Sequence, residues 1–370
     1  MKRIAKISAL LLTLCMLMPG VLSSCGGYKS KYDTVMEYNG IKLTEEMYYY
    51  WLSTYKRNIL ASYEDAADTK EFWEQKYDEN KTVEQYFTEI INERIMNYLI
   101  AQDLYKKNSL KLSNSVKESI KLDLEEKIYY YGGRSELNKT LSDMMLNIDG
   151  LEEIYYWEEK HDCVYEYLFG KGGALEISDK ELEDYYTSNY YRIDYVVVYL
   201  TGIETDEDGD FIYDENGDLI SKELSEEELE KKHKKISEID GKIKDGAKIE
   251  SLKSYNEYDT SDYENGFYMS ANEVDIWGLD IYNAVKDANV GDIVKVEESD
   301  AVFYVQRLEL TDISELSDKD ILQLSNLTLY ATNEAYDSFY SALAASVKIN
   351  NYVISRYKLS EIKANPHYSI

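Results

Sequence analysis

Four acidic residues of one insert have the spacing of a calcium-binding loop. The carboxylates at loop positions 1, 3, 5 and 12 are Glu204, Asp206, Asp208 and Glu215. The sixth residue is Gly209, and this combination approximates the ligand pattern of an EF-hand. The first position holds Glu rather than Asp, however, and no helix is predicted before it. The loop is therefore a candidate for weak calcium binding at most.

A hairpin is the alternative structure for the same insert. Residues 211–213 and 219–220 are apolar or aromatic, and the Asn216-Gly217 pair between them is typical of a tight turn. A flexible exposed loop must also become ordered around the ion, which lowers its affinity. We therefore favour the hairpin and expect no calcium affinity tighter than about 10⁻⁴ M.

The other residue types that support catalysis are scarce. The chain has 3 cysteines and 3 histidines, which are His161, His233 and His367. So few histidines suggest no Ser-His-Asp or Cys-His arrangement, whereas the 71 acidic residues leave paired-carboxylate chemistry open. Cys163 has no cysteine partner once the N-terminal segment is set aside, and we expect it to be a small buried hydrophobe. No cofactor is expected.

The N-terminus has the order of an export signal. Basic residues come first, an apolar run over residues 7–18 follows, and small residues precede Cys25. The run is too short to span a bilayer. Leu22-Ser-Ser-Cys25 resembles the lipobox of bacterial lipoproteins, in which the cysteine thiol receives a diacylglyceryl group. We expect residues 1–24 to be a signal peptide, residues 25–33 a tether, and lipidated Cys25 an extracytoplasmic membrane anchor.

Composition limits the possible partners. There are 41 Lys and Arg against 71 Asp and Glu, so the formal charge is -30. Such a chain repels phosphate backbones, and nucleic-acid binding is nearly excluded. Tyrosine accounts for 38 residues, against 7 Phe and 4 Trp. These rings either form an adhesive, peptide-binding surface or replace Phe at half-buried positions.

Apolar periodicity predicts a helical first half and a mixed second part. After a short strand and an Asn39-Gly40 turn, helical spacing recurs to about residue 189. The β-branched run over 192–200 begins a region with the order β-α-β-α-β-β, which contains the acidic insert 203–223. Residues 316–347 are helical again. The predicted class is α+β, with a mainly helical domain and a small α/β domain.

These elements and their order resemble the exported SurA/PrsA-like foldases that have a parvulin-type (PpiC/rotamase) peptidyl-prolyl isomerase domain. Residues 192–198 are similar to the first parvulin strand, and Gly266-Phe-Tyr268 to the central glycine-aromatic element. Val290-Gly-Asp-Ile-Val294 is similar to the turn before the last hairpin, which ends at Arg307-Leu308. The resemblance extends over residues 34–347. It implies a helical chaperone domain over 34–187, completed by 316–370, with a parvulin-like domain over 192–310 inserted between them.

The resemblance also locates the isomerase site, where parvulins have two inward-facing histidines. The first falls at Tyr195, and the second at Phe303 or, with a register slip of one, at Tyr304. Asp259 is a candidate for the acidic position. The expected histidine pair is therefore absent, and strong catalysis of X-Pro rotation is not expected.

An apolar groove is still possible at this position. Its candidate residues are Tyr195, Met269, Val285 and Phe303, which could instead simply fill a small core. The leading hypothesis is a membrane-anchored foldase that binds unfolded or newly exported polypeptides. The alternative is a surface-displayed lipoprotein that binds one ligand or a polysaccharide. Binding of unrelated unfolded chains would distinguish the first from the second.

Overall fold

The computed structural model describes residues 30–62, 67–204, 212, 220–261, 263 and 265–365. Packing divides the chain into two compact units. Unit 1 takes in the described residues up to Glu176 together with those from Glu334 onward, and unit 2 is Ile177 to Asn333. Unit 1 is therefore built from two separate stretches of the chain, whereas unit 2 is one continuous stretch.

A small sheet in unit 1 joins the two stretches of that unit. Strands β1 (Thr34–Tyr38) and β2 (Ile41–Thr44) form an antiparallel hairpin. Its turn residues Asn39 and Gly40 have φ values of 48° and 82°, a left-handed conformation that Asn and Gly tolerate best. Strand β9 (Lys348–Ile349) pairs with the other side of β1. Residues near the C-terminus thus complete the sheet that begins near the N-terminus.

Helices form the rest of unit 1. They are α1 (Glu45–Ser62), α2 (Lys70–Glu74), α3 (Val83–Lys107), α4 (Asn114–Tyr130), α5 (Arg134–Ser142), α6 (Ile148–Phe169) and, nearer the C-terminus, the second part of α12 (Leu327–Ala344) and α13 (Asn351–Ile354). Helix α3 begins at a capping box in which the Thr82 hydroxyl and the Gln85 side chain each bind the other's backbone N–H. Ile95, Leu99 and Ala101 of α3 are fully buried, as their helical spacing predicted.

Unit 2 contains a four-stranded antiparallel sheet in the order β6-β3-β8-β7. Its strands are β3 (Tyr190–Tyr199), β6 (Phe267–Ser270), β7 (Ile293–Glu297) and β8 (Ala301–Leu308), and a separate hairpin joins β4 (Thr201–Ile203) to β5 (Ser221–Glu223). The helices of the unit are α7 (Asp179–Asn189), α8 (Glu226–Lys244), α9 (Val274–Trp277), α10 (Leu279–Asp287), α11 (Asp318–Gln323) and the first part of α12 (Leu327–Ala344). The predicted α+β class is confirmed.

The two faces of this sheet pack against different elements because side chains alternate along each strand. On one face, Tyr195 and Val197 pack with Ile281 and Val285 of α10. On the other face, Val196 and Val198 pack with residues of α8 and of the 3-10 helix Ile249–Tyr255, including Ile236, Ile239 and Leu252. Odd-numbered residues of this part of β3 therefore lie on the α10 face of the sheet, and even-numbered residues lie on the α8 face.

A third apolar cluster joins the segments on either side of the sheet region to unit 2. Tyr185 and Tyr186 of α7 pack with Tyr268 of the sheet and with Leu324 and Leu327. The sequence assigned residues 177–187 and 316–333 to the helical domain, whereas this cluster places them with the sheet.

No helix in the described part of the chain is long and apolar enough to cross a bilayer.

Candidate functional site

Tyr195 lies at the centre of a group of aromatic rings on one face of the unit 2 sheet. Its ring centroid is 5.2 Å from that of Phe267, 5.9 Å from Trp277 and 6.3 Å from Phe303. Tyr258 lies 6.3 Å from Tyr195, and Tyr263 stacks on Phe267 at 4.3 Å. These distances are typical of favourable aromatic pairs. We call these six residues the Tyr195 cluster.

The pairing of β3 with β8 shows which of Phe303 and Tyr304 lies on the same face of the sheet as Tyr195. Val197 is opposite Phe303, and both lie on the face that Tyr195 occupies. Tyr304 points to the other face, where its hydroxyl donates a hydrogen bond of 2.6 Å to the Asp240 carboxylate. Phe303, and not Tyr304, is therefore the neighbour of Tyr195.

The four residues predicted to line a groove do come together, but not equally near the surface. Met269 of β6 and Val285 of α10 are fully buried, and Tyr195 is 7 % exposed. Phe303 is half-buried against the same core. Met269 and Val285 act here as core residues beneath the rings, because no part of either side chain is accessible.

Sequence reasoning missed the accessible apolar residues next to the cluster. Ile276 and Leu279, which flank Trp277 closely in the chain, are 77 % and 59 % exposed, and Tyr258 is 47 % exposed. We call these three residues the apolar rim. The signal was present as the run Ile276-Trp277-Gly278-Leu279 in an otherwise acidic sequence. Large exposed side chains beside a ring cluster are a typical feature of surfaces that bind apolar segments.

Neither Tyr195 nor the two described histidines supplies acid–base chemistry near neutral pH on this face of the sheet. Burial raises the pKa of the Tyr195 hydroxyl above its ordinary value, so it stays neutral and is a poor base. His233 is exposed on α8, which packs on the opposite face of the sheet. His161 belongs to unit 1, where its Nε2 lies 2.7 Å from the Tyr336 hydroxyl. His367 lies outside the described residues.

Asp259, the candidate acid, is an exposed residue of the segment between the 3-10 helix and β6. Its Oδ1 accepts a hydrogen bond of 2.9 Å from the Ser261 backbone N–H, and this bond lowers the pKa of the carboxyl. A carboxylate of this kind is ionised at neutral pH and does not donate a proton. Asp259 also lines a cavity of about 1300 Å³, together with Tyr258 and Tyr263 of the Tyr195 cluster.

One of the four calcium candidates, Glu204, lies in the described part of the chain. Asp206, Asp208 and Glu215 lie outside the described residues, as does most of the predicted hairpin over 211–220. Glu204 follows β4, and its backbone N–H donates a hydrogen bond of 2.8 Å to the Ile220 carbonyl. In the described ranges no group of three or more His, Cys, Asp or Glu side chains is arranged to hold a metal ion. That the insert binds calcium no more tightly than about 10⁻⁴ M stays a prediction, to be measured by calorimetry.

Solved structures similar to this chain are those of PrsA foldases. PrsA from Bacillus subtilis is 13 % identical, with 74 % of this chain and 86 % of that chain covered and a TM-score of 0.22. The peptidylprolyl isomerase PrsA from Bacillus anthracis is 16 % identical, with 69 % and 99 % covered and a TM-score of 0.27. Foldase protein PrsA from Streptococcus pneumoniae is 14 % identical, with 76 % and 93 % covered and a TM-score of 0.23.

These PrsA structures come from the family that the sequence resembles. No family model and no curated protein matches the chain. At these identities and TM-scores the likeness to PrsA carries no argument about the site, for which the geometry of the Tyr195 cluster is the evidence.

Proposed function

We propose that this protein is an extracytoplasmic, membrane-anchored foldase that holds unfolded exported polypeptides and has little or no prolyl isomerase activity. The observation that supports it best is the Tyr195 cluster with its apolar rim. Aromatic rings bind apolar side chains with low loss of their own conformational freedom, and they do not demand one sequence. The proposed substrates are exposed apolar stretches of unfolded chains.

Weak catalysis follows from the residues at the parvulin positions. Rotation of an X-Pro bond has a barrier of roughly 18–20 kcal/mol, set by the resonance of the amide. Tyr195 and Phe303 are both apolar rings in an apolar setting, and neither is charged or poised to exchange a proton. These two side chains could therefore lower the barrier to X-Pro rotation only by removing water from the amide.

The test compares two activities of the purified mature protein. Rotation of a short X-Pro peptide should proceed little above its background, which takes tens of seconds and makes even modest catalysis visible. Aggregation of several unrelated denatured proteins should be slowed. Strong rotation that Tyr195→Phe abolishes would contradict the proposal, since the hydroxyl would then be a working group. Binding of a single ligand without any effect on aggregation would favour the surface-displayed binding lipoprotein.

The apolar rim provides a sharper test of where clients bind. The double variant Ile276→Ser/Leu279→Ser should slow aggregation about fivefold less effectively, because it removes two exposed apolar side chains that contribute about 1 kcal/mol or less each in a partly buried contact. Leu322→Ser is the matched control, since Leu322 is also largely exposed in unit 2 but lies on α11, outside the rim. Equal loss in the control and the double variant would refute a specific role for the rim.

The anchor is proposed from the N-terminal segment alone, because Cys25 lies outside the described residues. Cys25→Ser should abolish fatty acylation and leave the precursor uncleaved by the lipoprotein peptidase, since the thiol is the acceptor of the lipid. Metabolic labelling with a fatty-acid probe measures this, with Cys163→Ser as the control that keeps Cys25. Equal label on the Cys25→Ser protein and the unchanged protein would rule out the assignment.

A further inference from the structure

One edge of β3 lies next to the Tyr195 cluster and has no partner strand. Strand β6 pairs with β3 only from Tyr190 to Ile193. From Tyr195 to Tyr199, β3 is paired on its other side with β8, while no described strand lies on the β6 side. Unpaired strand edges attract other extended chains unless they are covered.

Side-chain oxygens cover the backbone N–H groups of this edge. The N–H groups of Tyr195, Val197 and Tyr199 each donate a hydrogen bond of 2.8 Å, and the acceptors in that order are Asp194 Oδ1, Asn256 Oδ1 and Glu257 Oε2. Alternate residues of a strand present their N–H groups to the same neighbour. The three donors thus have the spacing that a partner strand requires.

The carbonyl groups of the same edge are covered by the same short segment. The Val197 carbonyl accepts a hydrogen bond of 3.0 Å from the Glu257 backbone N–H, and the Tyr195 carbonyl accepts one of 3.4 Å from Asn256 Nδ2. The side-chain amide of Asn256 therefore accepts from one residue of β3 and donates to another, as a peptide group of a partner strand would. Residues 256 and 257 imitate a strand without forming one.

We propose that an extended segment of a client polypeptide displaces this cover and adds to β3 as a strand at Tyr195 to Tyr199. This inference rests on the proposed function, for which it supplies a mode of binding. Backbone hydrogen bonds from the client would replace those from Asp194, Asn256 and Glu257 one for one, so no buried donor or acceptor is left unpaired. Recognition through the backbone suits clients of unrelated sequence.

The cover is held by hydrogen bonds and ion pairs, including that of Asp194 with Lys253, and it has space beside it. Although burial opposes it, hydrogen bonds from Lys232 and Lys235 keep the pKa of Glu257 below its ordinary value, so Glu257 is an ionised acceptor that those lysines can retain. The Asn256 bond to the Tyr195 carbonyl is long. The cavity of about 1300 Å³ is bounded by Asp194, Asn256, Glu257 and Tyr258, which provides room for the displaced residues.

The position of the edge also defines the class of client segment. Side chains of an added strand alternate between the two faces of the sheet. One set would lie on the face of the Tyr195 cluster, near Tyr258 and Phe267, while the other set would lie on the opposite face. We therefore expect binding of extended segments that have an apolar or aromatic residue at every second position, with little restriction on the residues between them.

Backbone methylation of a peptide tests this mode on the unaltered protein. The probe is a soluble peptide of about nine residues that alternates Phe or Leu with Lys and Ser, long enough to span the edge at about 3.3 Å per residue. Two isomers carry four backbone N-methyl groups each, one on residues 3, 5, 7 and 9 and the other on residues 2, 4, 6 and 8, so they match in composition and charge. One isomer should bind about tenfold more weakly than the unmethylated peptide, because its edge-facing donors are lost, and the other should bind within about twofold.

The outcomes separate strand addition from the holding function. Equal binding of the two methylated isomers would overturn strand addition, as would failure of the unmethylated peptide to bind a protein that still slows aggregation. Failure of both peptide binding and aggregation suppression would instead refute the proposed function.

A change in the cover gives an independent readout. Asn256→Ala removes two of the covering bonds, so the unmethylated peptide should bind about threefold or more tightly. Ser251→Ala is the control, because the Ser251 hydroxyl binds the Lys248 carbonyl away from the edge. Weaker binding by a folded Asn256→Ala protein would overturn displacement of the cover. If that variant does not fold, the methylated pair on the unaltered protein decides the question.

Discussion

Replacing Lys56 with methionine is expected to lower the free energy of unfolding of unit 1 by about 3 kcal/mol. Lys56 is buried on α1, and its Nζ donates to the carbonyls of Leu359 and Ile362 at 2.6 and 2.7 Å. It also forms an ion pair of 2.6 Å with Asp68. Methionine preserves the apolar stem but leaves both carbonyls without this donor, and an unpaired buried acceptor costs about 1–3 kcal/mol.

Urea unfolding followed by circular dichroism measures this difference, with the slope of the transition checked for a change in cooperativity. Lys70→Met is the matched control. Lys70 is exposed on α2 and forms an ion pair with Glu74 one helical turn away, so its loss should change the free energy by about 0.5 kcal/mol or less. A Lys56→Met protein as stable as the control would show that residues 359–362 do not need this ammonium group.

Replacing Glu158 with glutamine is expected to stabilise unit 1 at pH 8 by about 2 kcal/mol and to change little at pH 4. Glu158 of α6 accepts a hydrogen bond of 2.7 Å from the Trp51 indole N–H. Burial raises its pKa from 4.5 to about 7, and the nearby Asp162 and Glu159 carboxylates act in the same direction. The folded protein thus retains a proton that the unfolded chain has already released.

The direction of the pH effect follows from that difference. Below pH 4.5 the carboxyl is protonated in both states. Between pH 4.5 and 7 the unfolded chain ionises first, so the stability associated with the retained proton falls as the pH rises and is lost above about pH 7. Glutamine is neutral throughout and keeps an oxygen for Trp51, so it should not show this loss.

Denaturant unfolding of both proteins at about pH 4, 6 and 8 measures the difference in free energy. Glu158→Leu is the matched control, because it is also neutral but lacks an acceptor for Trp51, and it should be less stable than the glutamine variant at every pH. A glutamine variant with a constant advantage or disadvantage over the whole range would contradict the shifted pKa of Glu158.

Local patterns predicted much of the fold. The Asn39-Gly40 turn, the helical spacing in α3 and the β-branched run of β3 each depend on residues near one another in the chain, and the structure has a turn, a helix and a strand at these positions. Alternation also explains why Phe303 rather than Tyr304 adjoins Tyr195, although the sequence alone left the register open. Features that depend on neighbouring residues are predictable, because the repeat of a helix or a strand determines which side chains lie on the same face.

The features that could not be predicted depend on contacts between distant segments. Nothing in the pattern of α1 distinguishes Lys56 from an exposed lysine, because its acceptors are carbonyls more than 300 residues away. The cover on β3 uses Asn256, which in the sequence is one polar residue among many. Ile276 and Trp277 were missed because a helix as short as α9 has too few residues to show a period.

The pairing of β9 with β1 has a consequence for synthesis of the chain. A ribosome releases the N-terminus first, so unit 2, as a continuous stretch, is complete before residues 348–362 exist. Until then β1 has one edge without its partner and Lys56 lacks both carbonyls. A nascent or prematurely terminated chain therefore presents an open strand edge of the kind that promotes aggregation, and unit 1 can reach its final stability only after residues 348–362 have been synthesised.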